Sequence, residues 1–462
     1  MFDYKELLKI EETSDVWDAE IDGWHLWTMI RTGLRFAVRR QEQNLEAHNV
    51  PEKRLKLLTP KLASRHATTL AKLILKPIHP EYNALVIKKA RNYNIYSYYY
   101  NRIEHPLIID EVWKGNITED AWANHDTVLM DTFTLISGLG RRMTSHSPQD
   151  KCYIRDFVQY ACDLYGMPQL VEVYSGHIER SLLAKNIIQE LFTRYVIPRL
   201  KNKIAIVQQV YYLGKFAVYS RILRDNGIYV IEPQHGVIYP WDSAYALPTS
   251  YAKDSKHPIH LYKPDILLTF GDFWNDFLSY PSEVRAVGHP YIAEKIKNLH
   301  DEGSDKTVLI ISQGIYSQGL AQATKSLAEA YPEYIFYYKL HPEEIGFPER
   351  YSALRALKNV QVIDYQSDIH DFIAKSMTVI GYDSTALFEV AMYPQRRVLV
   401  LSDGSVVNPL LQRFAKICAT IDDIMASFAD KSQGLSPIKP EDIWNPDWDI
   451  QVDSLLSELA SR

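Results

Sequence analysis

The last third of the chain alternates short apolar runs with helix-like segments, and this alternation constrains the fold more than any other feature. Helix-like segments lie between the runs at 318–330, 349–357, 369–375 and 385–392. Short apolar strands that alternate with helices are typical of a parallel sheet covered by helices on both faces. The predicted strands are TVLIIS (307–312), YIFYYKL (334–340), VQVID (360–364), MTVIG (377–381) and RVLVL (397–401).

The middle of the chain repeats the pattern, which predicts a second doubly wound unit. Its predicted strands are KIAIVQQV (203–210), IYVIEPQ (228–234), DILLTF (265–270) and VRAVG (284–288). The residues before 203 are rich in charge and helix formers, with strand-like patches at 83–90 and 94–100. We expect these residues to add helices to the unit. The predicted fold class is therefore α/β, with two Rossmann-like domains and N-terminal helical additions.

The polar, charged segment 292–305 is predicted to link the two units. Residues 1–300 are assigned to the N-terminal Rossmann-like domain with its helical additions, and 301–430 to the C-terminal Rossmann-like domain. The tail, 431–462, is rich in Pro and Trp and is predicted to pack back on the body. A chain of 462 residues exceeds the size of one ordinary core, which also favours at least two domains.

Composition excludes several classes of protein. The net charge of −6 gives no support to nucleic-acid binding, and the three cysteines follow neither a metal pattern nor a disulfide framework. The opening segment lacks an apolar signal core, and no stretch reaches the roughly 20 apolar residues of a membrane span. We expect a cytoplasmic protein. Seven basic and no acidic residues between Lys53 and Pro80 suit either a solvated helix face or peripheral contact with an anionic membrane.

Two motifs follow predicted strands of the C-terminal unit. KLHP (339–342) would offer Lys339 and His341 to phosphate oxygens, although His341 also suits an ordinary loop at a strand end. DSTALFE (383–389) would cap a helix with Ser384 and turn Ser384 and Thr385 toward the same phosphate, with Glu389 one turn further to hold ribose hydroxyls. An ordinary N-cap is the alternative. In α/β sheets, ligands bind at this edge, so the motifs predict a pocket for an activated sugar.

A further residue of this pocket and a separate motif complete the candidate set. The polar turn SQGIYSQG (312–319) adds Gln313, which could approach the donor. In EPQHGVIYPWD (232–242), His235 follows a predicted strand, and Gly236 would allow a tight turn. A neutral imidazole there can act as a general base on an acceptor hydroxyl, with the carboxylates Glu232 and Asp242 nearby in sequence. A turn histidine bonded to backbone is the alternative.

Other catalytic patterns receive no support. Asp447-Trp448-Asp449 has the form of a metal-binding DxD, but it follows Asn-Pro in the tail instead of an apolar strand. The chain lacks the GxSxG and HExxH motifs of serine hydrolases and zincins, and it lacks a P-loop. We therefore predict no metal site and no cofactor, since a nucleotide-activated sugar would be a substrate.

These motifs resemble those of bacterial GT-B glycosyltransferases of capsule, lipopolysaccharide or exopolysaccharide assembly. PQHG (233–236) is similar to the QHG of capsule proteins of the Kdo-transferase type, and IDGWHLWTMIR (21–31) looks like their opening segment. KLHP and DSTALFE resemble the phosphate-binding motifs of bacterial sialyltransferases. The same three motifs resemble those of CDP-glycerol glycerophosphotransferases of teichoic acid synthesis. The resemblance implies a cleft between two Rossmann-like domains.

The resemblance also implies roles for residues. His235 would be the base, and Lys339, His341, Ser384 and Thr385 would bind donor phosphate. Two departures matter: Gln234 stands where the teichoic acid motif has Trp, and the Asp/Glu-Asp-Gly motif of sialyltransferases is not evident.

The implied activity is transfer of a sugar from a CMP-linked acidic donor such as Kdo or a nonulosonate, with a UDP-sugar as alternative, to an oligosaccharide or lipid-linked glycan. A CDP-polyol phosphotransferase, a sugar-nucleotide 2-epimerase and a non-enzymatic glycan-binding protein remain as rivals.

Overall fold

The computed structural model describes the chain in two compact units. Unit 1 comprises Met1–Thr269, Asn275–Val287 and Asp449–Arg462, and unit 2 comprises Phe270–Trp274 and Gly288–Trp448. The described residues are 4–42, 81–89, 95–111, 125–130, 146–238, 240, 242–275, 280–313, 317–341, 344, 348–363, 366–382, 384–393, 395–402, 407–430 and 438–461.

The basic stretch from Lys53 to Pro80 lies outside the described residues, so its predicted membrane contact stays a prediction. Among the residues that are described, no helix combines the length and apolar character needed to cross a bilayer.

Unit 1 is built on a parallel sheet. Within its described residues the sheet has seven strands in the order β5-β4-β3-β6-β7-β8-β9. The first six follow the order 3-2-1-4-5-6 of the Rossmann fold, and the seventh extends one edge. The strands are β3 (Ala84–Lys89), β4 (Pro106–Glu111), β5 (Asp126–Met130), β6 (Ile204–Val207), β7 (Tyr229–Pro233), β8 (Ile266–Thr269) and β9 (Glu283–Ala286); β1 (Glu20–Ile21) and β2 (Trp24–His25) form a separate antiparallel pair.

The helices of unit 1 include the predicted N-terminal additions. Ser147 and Asp150 form a capping box that starts one of the long helices, and Pro148 occupies its first turn. The helices are α1 (Tyr4–Thr13), α2 (Trp27–Glu42), α3 (Tyr96–Tyr100), α4 (Pro148–Leu164), α5 (Val171–Leu191), α6 (Lys215–Asp225), α7 (Thr249–Lys253) and α8 (Ile259–Tyr262), with a π turn at Phe192–Val196 and 3-10 turns at Pro168–Leu170, Ile197–Arg199 and Val210–Tyr212.

The region before residue 203 differs from the prediction in two respects. Its predicted strand-like patch 83–90 forms β3, but it also contributes β4 and β5 to the sheet, where helices were expected. The strand-like patch 94–100 instead ends in helix α3, because Tyr96, Tyr99 and Tyr100 are buried at helical spacing. Tyrosine favours strands only when its side chain can pack on a pleated surface, so this packing overrides the propensity.

Unit 2 contains the second parallel sheet, in the order β12-β11-β10-β13-β14-β15 among the described residues. This is again the Rossmann order, so the predicted pair of Rossmann-like domains, the composition of the GT-B fold, is confirmed. The strands are β10 (Ser304–Ile311), β11 (Ile335–Lys339), β12 (Val360–Ile363), β13 (Ser376–Gly381), β14 (Arg397–Leu401) and β15 (Lys416–Cys418).

The helices of unit 2 flank its strands, and one of them replaces part of the predicted linker. Segment 292–305 lies within unit 2, where α9 covers its first half and β10 begins at Ser304, because Ile292 and Ala293 give the polar segment a buried face. The helices are α9 (Pro290–Lys297), α10 (Ser317–Ala330), α11 (Ser352–Arg355), α12 (His370–Ile373), α13 (Thr385–Val390), α14 (Ile421–Ala429) and α15 (Pro440–Ile443), with 3-10 turns at Asp272–Trp274, Pro348–Tyr351 and Leu411–Arg413. The last helix, α16 (Trp448–Ala460), belongs to unit 1 from Asp449 onward.

A glycine in unit 2 allows the segment around α15 to pack at backbone distance. A Cβ at Gly271 would lie 2.3 Å from the carbonyl oxygen of Asp442. Next to it, the indole N–H of Trp274 donates to the carbonyl of Ile443 at 2.8 Å. Trp444 is buried, and its indole N–H donates to the carbonyl of Phe388 at 3.0 Å. The close approach and the two indole bonds together hold this segment on unit 2.

We expect Gly271→Ala to destabilise unit 2, because the added methyl collides with backbone that cannot move as a flexible side chain can. Overpacking of this kind costs about 1–3 kcal/mol. Thermal unfolding followed by tryptophan fluorescence should show a lower midpoint, since Trp274 and Trp444 lie at the contact. Gly236→Ala is the control, because a Cβ there would meet nothing within 4 Å. Equal midpoints for the two variants would contradict this packing.

Candidate functional site

Three strands of unit 2 end side by side. Ile311, the last residue of β10, pairs with Lys339 of β11 on one side and with Gly381 of β13 on the other. The strand order reverses between β10 and β13, and the crevice outside the carboxyl ends at such a reversal is where doubly wound sheets bind ligands. The predicted phosphate residues follow these three ends: Gln313 after β10, His341 after β11, and Ser384 and Thr385 after β13.

Gln313 places a buried amide oxygen at this edge. Its side chain is half-buried, and its Oε1 atom is buried with no hydrogen-bond partner among the described residues. A buried amide oxygen without a partner costs about 1–3 kcal/mol, so such atoms indicate a place where another molecule completes the bond. The Lys339 residue, which ends the neighbouring strand β11, is buried as well, with 6% of its surface exposed.

A buried carboxylate that sequence reasoning missed ties two of these strand ends together. Glu344 is 1% exposed and accepts hydrogen bonds from the Ser312 hydroxyl at 2.7 Å, the His341 backbone N–H and the Tyr351 hydroxyl. Its own N–H donates to the carbonyl of His341 at 2.9 Å. The two backbones thus close a turn while the Glu344 side chain caps the His341 N–H, and a Glu three residues after His341 is the sequence signal that could have identified it.

The residues after β13 have different surroundings. Ser384 is the predicted N-cap of α13, and its side chain accepts from the N–H of Ala386 at 3.3 Å. Thr385 is exposed. Glu389 lies one turn further, with its Oε2 at 3.0 Å from Nε2 of His370, which is buried. Glu389 thus lies against a histidine that the sequence motif did not indicate.

In unit 1, Glu232 is fully buried near the end of strand β7. Its carboxylate accepts from the N–H of Tyr211 at 3.0 Å and from the hydroxyl of Tyr245 at 2.6 Å. Burial outweighs these two bonds and raises the pKa of Glu232 to about 8. The group can therefore hold a proton near neutral pH, as an acid-base residue must.

Asp242 anchors the turn that carries Tyr245. It is 6% exposed, and its Oδ1 accepts from the backbone N–H groups of Ala244 and Tyr245 at 2.8 and 3.0 Å. The turn in turn directs the Tyr245 hydroxyl to Glu232. These contacts give Asp242 a structural role in arranging the candidate site.

Glu11, Arg31 and Arg35 are three buried charges of the N-terminal helices that sequence reasoning missed as a group. The two arginines hold the turn that carries Tyr245, and Arg35 donates to the carbonyl oxygen of Ala246 at 2.8 Å. Arg31 donates to the carbonyl oxygens of Ser243, Ala244 and Ala246 at 3.2, 3.0 and 2.7 Å, and to Glu11 at 2.7 Å.

The pKa values of these buried groups follow from burial and charge. Burial alone would raise the pKa of Glu11, but Arg31 and Arg35 outweigh it and hold that pKa below its ordinary value. Burial, with repulsion from Arg31, lowers the pKa of Arg35 to about 10. The signal in sequence was Arg31 at the end of IDGWHLWTMIR.

His235 contacts another residue that the sequence did not indicate. Its Nε2 lies 2.6 Å from Nε2 of Gln209, which follows strand β6. The Tyr212 ring packs edge-on against the imidazole at 5.2 Å. Gln209 has a left-handed backbone, with φ of +59°, whereas Gly236, which was predicted to allow a tight turn, has no left-handed φ and has open space at its Cβ.

The aspartates of the DxD-like segment have protein partners or local roles. Asp449 and Asp453 of α16 both accept hydrogen bonds from the Arg102 guanidinium, at 2.5 and 2.7 Å. The Asp447 backbone N–H donates to the Asn445 side chain. In the part of the chain that the structure describes, no three His, Cys, Asp or Glu side chains group in a way that could hold a metal ion.

The structure is similar to several solved proteins. The UDP-GlcNAc 2-epimerase from Neisseria meningitidis, solved with UDP-GlcNAc bound, matches with a TM-score of 0.44 and 14% identity, covering 81% of this chain and 98% of that one. MurG from Acinetobacter baumannii matches with a TM-score of 0.43 and 9% identity, covering 82% and 100%. The wall teichoic acid polymerase TagF matches with a TM-score of 0.40 and 11% identity, covering 92% and 98%. No family model and no curated protein matches the sequence.

We expect the buried acid Glu232 to make stability depend on pH. Its pKa rises from an ordinary 4.5 to about 8 on folding, because the buried site favours the protonated carboxyl. The contribution of this proton to the free energy of unfolding is complete below about pH 4.5 and is lost as the pH rises through 8. Glu232→Gln removes this titration, and its amide can accept from Tyr211 and donate to the Tyr245 oxygen.

Denaturant titrations from pH 5 to 9 measure the effect. Over this range the free energy of unfolding of the wild type should fall relative to the variant by roughly 4 kcal/mol, at about 1.4 kcal/mol per pKa unit. A difference that does not change with pH would show that Glu232 titrates normally.

Proposed function

We propose that the protein is a glycosyltransferase that moves a sugar from a nucleotide-activated donor to a bacterial surface glycan. The favoured donor is a CMP-linked acidic sugar such as Kdo or a nonulosonate, with a UDP-sugar as the alternative. Unit 2 binds the donor nucleotide, and unit 1 supplies the base for the acceptor hydroxyl.

One observation carries the proposal: the alignment of the three strand ends at the reversal of strand order in unit 2. The Gln313 amide, the Lys339 ammonium and the His341 imidazole all follow or end strands that are in register. An amide, a cation and an imidazole suit phosphate and sugar oxygens, because cations and N–H groups form short, charge-assisted bonds to phosphate. Ser384 adds a hydroxyl at the third strand end.

In the proposed reaction His235 takes the proton from the acceptor hydroxyl. The hydroxyl oxygen then forms a bond to the anomeric carbon of the donor, and the bond from that carbon to the phosphate oxygen breaks. The electron pair leaves with the nucleotide, whose phosphate Lys339 and His341 stabilise. Glu232 is fully buried with a pKa near 8, so it can take up or release a proton close to neutral pH while it accepts a hydrogen bond from the Tyr245 hydroxyl.

The site of the reaction in the cell is also part of the proposal. We place the protein in the cytoplasm, at the inner face of the membrane, where glycan precursors are assembled on lipid carriers. Support comes from the basic run between Lys53 and Lys76, which would attract anionic lipid at about 1 kcal/mol per basic residue near the surface.

We expect His341→Ala and Gln313→Ala each to weaken nucleotide binding without unfolding the protein. Each variant removes one polar contact of the kind worth about 1–3 kcal/mol. A thermal-shift screen of CMP, CDP, UDP and GDP first identifies the nucleotide, because a ligand that binds only the native state raises the melting temperature. Calorimetry then gives the affinities, with His300→Ala, an exposed histidine elsewhere in unit 2, as the control. Wild-type affinity in both test variants would contradict the donor site.

A turnover assay separates the proposed transferase from its rivals. The purified protein is incubated with a sugar donor that carries the nucleotide identified in the thermal-shift screen. It should release that nucleotide only when a glycan acceptor is present. His235→Ala should bind nucleotide normally but transfer sugar about 10²–10⁴ times more slowly, because it loses the general base. Donor consumption without acceptor would favour a 2-epimerase. Transfer from CDP-glycerol would favour a polyol phosphotransferase, and absence of saturable nucleotide binding a glycan-binding protein.

A further inference from the structure

Gln209 combines three unusual features at the reversal of strand order in unit 1. It follows β6, which neighbours β3 at that reversal, and its side chain is buried, with 4% exposed. Its backbone has a φ of +59°, in the left-handed region that costs a residue other than glycine about 1 kcal/mol or more. Strain of this kind persists where the surrounding structure imposes it, and it clusters at functional sites.

One end of the Gln209 amide faces His235, and the other end has no hydrogen-bond partner in the described part of the chain. Its Nε2 lies 2.6 Å from His235 Nε2, and its Oε1 is buried with no hydrogen-bond partner among the described residues. Turning the amide by 180° exchanges its oxygen and nitrogen without moving any other atom. Either end can therefore face the imidazole, and the two orientations select different tautomers of the histidine.

Only one orientation is compatible with a histidine that takes up a proton. In the imidazolium ion both ring nitrogens carry hydrogen, so the group that faces Nε2 must be an acceptor. The Gln209 oxygen satisfies this requirement, whereas the Gln209 NH₂ group would oppose the N–H of the ring. With the oxygen toward Nε2, the neutral ring carries its hydrogen on Nε2 and its lone pair on Nδ1.

We infer that Gln209 is a positioning residue for His235. The Gln209 amide oxygen fixes the Nε2–H tautomer of the ring, so that Nδ1 is the atom that takes the proton from the hydroxyl of the sugar acceptor. This inference rests on the proposed function, because a base role for His235 is what requires the acceptor at Nε2. The left-handed backbone of Gln209 places the amide against the ring, and its burial holds it there.

Titratable groups lie near His235 in unit 1. They include Tyr212 and Tyr245, with ring centroids 5.2 and 6.5 Å from that of the imidazole, and Glu232, to which Tyr245 donates. Burial and the nearby Glu232 raise the pKa of Tyr245 well above its ordinary value, so that it stays neutral. Because Gln209 Nε2 lies 2.6 Å from His235 Nε2, a charge placed at position 209 should act on the imidazole directly.

The test measures the His235 ring by ¹⁵N NMR in the full chain with labelled histidine, its signal assigned by its loss in His235→Ala. Gln209→Asn keeps a residue that tolerates the left-handed region but is one methylene too short to reach the ring. Gln209→Glu keeps the reach and adds a negative charge. Gln208→Asn is the matched control, because the buried Gln208 side chain instead accepts from the Lys89 backbone N–H at 2.7 Å.

We expect the wild-type ring to be the Nε2–H tautomer and Gln209→Asn to show a mixture of tautomers. Gln209→Glu should raise the pKa of His235 by about one unit or more, since an adjacent opposite charge favours imidazolium. The low-pH limb of the transfer rate should move by the same amount, and Gln208→Asn should titrate as the wild type does.

An Nδ1–H tautomer in the wild type, or identical titrations in all variants, would overturn the inference. The NMR readout needs no substrate, so it separates two failures. If the NMR spectra show the Nε2–H tautomer but the protein transfers no sugar, the proposed function is wrong and the role of Gln209 in fixing the tautomer still holds.

Discussion

The register of the parallel strands is the constraint on which both candidate sites depend. In unit 2, Ile311 pairs with both Lys339 and Gly381, so three strand ends reach one edge at the same height. In unit 1, Ile87 of β3 pairs with Val207 of β6, which places Gln208 and Gln209 directly beyond the corresponding reversal. A slip of one residue would turn every side chain of a strand to the opposite face. The polar residues at these edges can converge only because the buried apolar strands fix their register.

Each unit then uses one buried carboxylate to organise the loops beyond its strands. Glu232 accepts hydrogen bonds from the backbone N–H of Tyr211, which follows β6, and from the hydroxyl of Tyr245, in the turn after β7. Glu344 accepts hydrogen bonds from the Ser312 hydroxyl just after β10, from the backbone N–H of His341 and from the Tyr351 hydroxyl. Burying such a group is costly unless its acceptors are satisfied, so each carboxylate rigidifies the loops that satisfy it.

Much of the fold could be predicted from the sequence, because short apolar runs between helical segments specify parallel strands directly. All nine strands predicted from residue 203 onward are present. The short β15 was missed, as were β4 and β5, whose runs stand among charged residues. The candidate residues at strand ends followed from the same logic. Gln209, Glu344 and Arg31 could not be predicted as readily, since their roles depend on contacts such as that of Arg31 with Ala246, 215 positions away. Local sequence does not encode such pairs.

The central claim is that a nucleotide binds at the reversal of strand order in unit 2. Hydrogen–deuterium exchange of the full chain with and without saturating CMP, or whichever nucleotide stabilises the protein, tests it directly. The account predicts slower exchange of backbone amides at 312–313, 340–341 and 384–387, with smaller effects elsewhere in unit 2. Protection confined to other strands, or to unit 1 alone, would contradict it.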